Sequence, residues 1–124
     1  MRFVIALLAL LLAGLGMIGG DAAASPQGKR VALLGTSNAN PYIGAWTKTF
    51  TKFATDAGMK VTNLNSNYDA AVQSQQIDDA IAQKFDIIVL VYVNDQAVVP
   101  ALTRAKAAGI PVMLIVTPSS LRLK

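Results

Sequence analysis

Between Gly35 and Tyr42 the chain reads Gly35-Thr36-Ser37-Asn38-Ala39-Asn40-Pro41-Tyr42, a segment crowded with small hydroxyls and carboxamides. Each Ser or Thr hydroxyl and each Asn side chain can both donate and accept a hydrogen bond, so the segment suits a neutral polyhydroxyl ligand rather than a reaction. Tyr42 and Trp46 add flat apolar faces that can lie against the C–H side of a ring. Two structural roles compete with these readings. Asn40 directly precedes Pro41, the order of a helix N-cap followed by proline at the first helical position. Trp46 falls in an apolar stripe, which marks it as core.

Elsewhere the residues argue against catalysis. The chain has no histidine and no cysteine, which removes the usual transition-metal ligands and most acid–base groups. No Gly-Lys-Ser/Thr follows the Gly35 segment, and the segment does not carry the Gly-x-Gly-x-x-Gly fingerprint, so phosphate-loop and dinucleotide chemistry are not indicated there. Asp78 and Asp79 are neighbours on a helical stretch and point in different directions, as solvated side chains do. Asp95 stands where the dipole of a following helix favours a negative charge. No constellation for chemistry emerges, and a non-enzymic protein without metal or cofactor is expected.

The elements that must position the Gly35–Tyr42 segment alternate regularly. Val31–Leu34, Val61–Leu64, Ile87–Val93 and Val112–Val116 are short apolar runs, the second broken by polar residues; such runs suit strands covered on both faces. Ile43, Trp46, Phe50, Phe53 and Ala57 repeat at helical spacing from the Asn40-Pro41 start to a stop at Gly58. Ala70, Ser74, Ile77 and Ile81 mark a second helix, with Asp69 near its start. Val98, Leu102, Ala105 and Ala108 mark a third, ending at Gly109. Pro100 fits that helix only near its first turn, since deeper it removes a backbone hydrogen bond. The order β-α-β-α-β-α-β predicts an α/β fold of three layers, a parallel sheet of four strands with three helices on its two faces. Ligands of open parallel sheets bind outside the carboxyl ends of the strands. Those ends are Gly35–Asn40, Asn65–Tyr68, Tyr92–Asp95 and Thr117 onward.

Residues 1–24 read as a secretory leader. Arg2 is followed by an apolar run from Phe3, and Ala22-Ala23-Ala24 offers a small-residue cut site before Ser25. The run is short for a membrane span. With no cysteine after the leader there is no lipid attachment, so the free periplasm is the expected address. The net charge of +4 is spread over scattered lysines and arginines without a run, which reads as a solvated surface and not a nucleic-acid track.

Asn40-Pro41-Tyr42 after the Val31–Leu34 strand resembles the opening of periplasmic sugar-binding proteins of the ribose-binding type. Gln76-Ile77-Asp78-Asp79-Ala80-Ile81, Phe85-Asp86-Ile87-Ile88-Val89-Leu90, Ala97-Val98-Val99-Pro100-Ala101-Leu102 and Ala105-Lys106-Ala107-Ala108-Gly109-Ile110-Pro111-Val112 continue the resemblance in the family's order. It implies the substrate-binding component of an ABC importer, in which two α/β lobes close on a sugar and dock on a membrane permease. By that resemblance Asn40 hydrogen-bonds the sugar, Tyr42 is its first stacking aromatic, and Thr36 is a hydroxyl that reaches the ligand. Ile43 stands in place of a second aromatic, and Val116-Thr117 in place of an Asp-Arg pair that grips sugar hydroxyls. The family's first lobe extends further than residues 25–124, which are therefore expected to be an incomplete N-terminal lobe of a periplasmic binding protein-like I domain. The same fold serves as the effector domain of LacI-type transcription regulators, but those begin with a helix-turn-helix rather than a leader. A receiver-like domain needs acids clustered at the strand ends, and Asn65 and Val91-Tyr92 do not supply them. A truncated product that binds nothing is the remaining alternative.

Overall fold

The computed structural model describes residues 24–115. The leader reading therefore lies outside the described residues except for Ala24, and Val116-Thr117 lies outside them entirely. Four parallel strands, β1 (Arg30–Gly35), β2 (Lys60–Asn65), β3 (Ile87–Leu90) and β4 (Val112–Leu114), alternate with helices α1 (Pro41–Asp56), α2 (Ala70–Ala82) and α3 (Asp95–Ala107). The sheet order is β2-β1-β3-β4, all pairs parallel. β1 is central, and Gly35 lies opposite Asn65 at the carboxyl end of the β1–β2 pair.

The period-two alternation of β1 divides the core into two layers. Ala32 and Leu34 join Ile88 and Leu90 against Ile77 and Ala80 of α2 and Val98, Ala101, Leu102 and Ala105 of α3. Val31, Leu33 and Val89 face the other way, toward Trp46 and Phe50 of α1 with Met59, Val61 and Ile87. Helices thus cover both faces, two on one and one on the other. Each fully buried aliphatic such as Leu33 or Ile88 contributes about 1.5–3 kcal/mol, and the continuous apolar runs are the sequence trace of this two-sided burial.

The helix ends follow the chemistry of their residues. Asn40, Asp69 and Asn94 are the N-caps, and each side chain accepts a backbone N–H of its first turn. Gly58 and Gly109 follow α1 and α3 at positive φ, 88° and 73°. Three expectations are revised. Pro100 lies at the sixth position of α3, one turn deeper than its chemistry favours; it withholds an N–H from the carbonyl of Gln96, and both residues are solvent-exposed. Asp78 is not merely solvated, since its two oxygens take the Nε and Nη2 protons of Arg104 at 2.8 Å each and join α2 to α3. Phe53, counted in the apolar stripe of α1, is exposed, with Lys52 beside its ring.

Candidate functional site

Parallel pairing brings the carboxyl ends of β1 and β2 to one edge, where their loops are tied together. Ser66 N–H donates to Gly35 O at 3.2 Å, and Tyr68 N–H donates to Thr36 O at 2.9 Å. The buried Ser66 hydroxyl adds bonds to Gly35 O and Thr36 O at 3.3 and 3.4 Å. Asn67 and Tyr68 both take positive φ, 49° and 62°, which folds the β2–α2 loop back over the β1–α1 loop.

Asn40 is the hub of this edge. Its Oδ1 accepts the N–H of Tyr42 at 3.0 Å and of Ile43 at 3.3 Å, so the oxygen serves as the cap of α1. Its Nδ2 donates to the Tyr68 hydroxyl at 3.3 Å. Cap and ligand contact, weighed against each other from the sequence, are therefore compatible: the oxygen holds the helix while the nitrogen faces the loop edge. One Nδ2 proton remains for a further acceptor.

The four residues named from the sequence divide into two pairs. Asn40 is half-buried and Tyr42 is 74% exposed, both at the edge. Thr36 is buried beneath the edge, and Ile43, 8% exposed, packs beside Gly35. Trp46 is half-buried and packs against the Val31, Leu33 and Val89 cluster, stacked on Phe50 with centroids 5.5 Å apart.

Two residues at this edge were missed by sequence reasoning. Tyr68, 56% exposed, meets Asn40 only through the pairing of β1 with β2, a relation no local pattern carries. Gln73 is fully buried: its Nε2 donates to Val91 O at 3.0 Å and its Oε1 accepts Val93 N–H at 2.8 Å. This clamp ends β3 at Leu90, although the apolar run continues to Val93, and holds the β3–α3 loop at the carboxyl edge. A signal existed, because Gln73 shares helical spacing with Ile77 and Ala80, the other buried residues of α2. Among the described residues no group of His, Cys, Asp or Glu is placed to hold a metal ion, and no helix is long and apolar enough to cross a membrane.

This fold has relatives. The profile of the periplasmic binding protein domain matches residues 31–123. The D-apiose import binding protein of Paraburkholderia graminis is 35% identical over 85 residues, 68% of this chain and 27% of that protein. The ribose import binding protein of Bacillus subtilis is 30% identical over 76 residues, 61% of this chain and 25% of that protein. Among solved structures, the periplasmic ribose ABC transporter from Conexibacter woesei is similar with a TM-score of 0.70 at 26% identity, over 73% of this chain and 30% of that one. An ABC transporter solute binding protein from Mycobacterium smegmatis with bound glycerol gives a TM-score of 0.69 at 24% identity, over 73% and 32% of the two chains, and shows the fold alone. The chain spans about a quarter of the length of the curated relatives it matches. The matched profile covers three of every four residues and the strand–helix order is shared, so this chain belongs to the periplasmic binding protein family and has its type I α/β fold.

Proposed function

We propose that the chain supplies one wall of the sugar-binding cleft of a periplasmic solute receptor for an ABC importer. The observation that carries this reading is the Asn40–Tyr42 edge. A carboxamide nitrogen with a spare proton stands beside an exposed aromatic ring, outside the carboxyl ends of a parallel sheet, where ligands of such folds bind. A hydrogen-bond donor next to a flat apolar face matches a sugar, which offers oxygens along its rim and C–H groups on its face. The apiose and ribose import binding proteins among its relatives support the ligand class. Residues 1–24 act in this reading as the export leader, residues 25–124 as part of an N-terminal lobe, and the permease of the importer is the protein partner. Nothing in the proposed role requires catalysis, a cofactor or nucleic acid.

Substitution of Asn40 by Asp separates the cap from the donor. The carboxylate of N40D still accepts the N–H groups of Tyr42 and Ile43, and aspartate caps a helix about as well as asparagine. It has no proton to donate to a ligand. Titration of the labelled protein with D-ribose and D-apiose, followed by amide NMR shifts, is expected to move the resonances of residues 36–42 and 66–69. N40D is expected to unfold at the wild-type midpoint and to lose most of the response. A wild-type chain silent toward both sugars, or shifts confined to the opposite edge of the sheet, refutes the proposal.

A further inference from the structure

Tyr68 stands at φ 62°, a left-handed conformation that suits glycine or asparagine and is an outlier for a bulky side chain. Residues held this way are stabilised by their surroundings or serve a function. The loop does hold its backbone: Tyr68 N–H is bound to Thr36 O, and Asp69 N–H to Ser66 O at 2.9 Å. Those bonds use main-chain atoms that any residue has. The ring itself is more than half exposed, so core packing does not account for an aromatic here. Its one polar partner in this loop pair is Asn40 Nδ2, contributed by a residue 28 positions away.

We propose that Tyr68 is a ligand-contacting residue that sets the specificity of the edge. The inference rests on the sugar-binding reading above. Ile43, 8% exposed, packs beside Gly35, while Tyr68 places a second exposed ring on the same edge as Tyr42. The Tyr68 oxygen accepts one Nδ2 proton of Asn40, which orients the carboxamide and leaves its other N–H for the ligand. The Tyr68 O–H keeps its own proton. With Asn40 Oδ1 spent on the cap, the pair presents donors alone. The ligand class that fits is a cyclic sugar with an apolar C–H face for the rings and, at the margin of that face, a ring or hydroxyl oxygen that accepts.

Two variants of the full chain test this, titrated with D-ribose and D-apiose by NMR and melted by circular dichroism. Y68G keeps the backbone conformation and removes the ring. It is expected to unfold at or above the wild-type midpoint and to bind about tenfold more weakly. Y68F keeps the ring and frees the Asn40 carboxamide. It is expected to retain part of the affinity and to narrow the difference between the two sugars. A Y68G midpoint below wild type assigns Tyr68 a structural role and overturns the inference. Y68G binding within about twofold of wild type overturns it too, while leaving the sugar-binding reading standing. A wild-type chain that binds neither sugar removes both.

Discussion

The carboxylate of Asp86 accepts the Arg30 N–H at 2.8 Å and lies 3.2 Å from Lys29 Nζ, at the amino end of the sheet. The backbone bond from Arg30 is the larger cause, and Lys29 the next, that holds this carboxyl below its ordinary value. Arg30 also reaches Gln83 O and lies 4.3 Å from the centre of the Phe85 ring, so the β1 start is tied to the loop before β3. A group whose folded value is depressed adds stability that is complete above its unfolded value, about pH 4 for aspartate, and is lost as pH falls through the folded value. D86N is therefore expected to be less stable than wild type at neutral pH, with the gap closing in acid. Urea melts across that range check it, and a gap independent of pH counts against the assignment. The sequence showed Asp86 only as a charge before an apolar run; its partner Arg30 lies 56 residues earlier, beyond any local pattern.

Among the elements, α2 shows how a helix can shape a loop at the ligand edge. Its buried stripe is Gln73, Ile77 and Ala80, and Gln73 spends both ends of its carboxamide on the backbone after β3. Q73A leaves Val91 O and Val93 N–H without their buried partner and opens a cavity, so a loss of about 2–4 kcal/mol is expected from chemical denaturation. Hydrogen exchange at Val93 is expected to accelerate more than exchange within β1. Uniform acceleration would make Gln73 a core residue rather than a loop clamp. The span of α2 was legible from spacing and from Asp69, but the spacing of Ser74 and Ile81 shifted the assumed inner face by one residue. Gln73 is polar, and the partners that allow its burial belong to another element.

At the scale of the molecule, the sheet order leaves β4 at an edge, with no strand beyond it among the described residues. Met113, opposite Val89 in register, is 48% exposed on the sheet face that carries α1. An apolar edge strand invites pairing with another chain. M113K is expected to lower concentration-dependent association in light scattering and to leave the unfolding midpoint near wild type. Association unchanged by the lysine would place the sticky surface elsewhere. Much of this architecture could be read without coordinates: the β-α alternation, the Asn40-Pro41 start of α1, the start of α2 near Asp69, the stops at Gly58 and Gly109, and the packing side of Trp46 each follow from periodicity or from one residue's backbone preference. Those signals report how a residue stands within its own element. The order β2-β1-β3-β4, the inward turn of Ile43, the Gln73 clamp and the meeting of Tyr68 with Asn40 depend on which elements become neighbours and in what register. They are set by the packing of faces distant in sequence, and only the tertiary structure decided them.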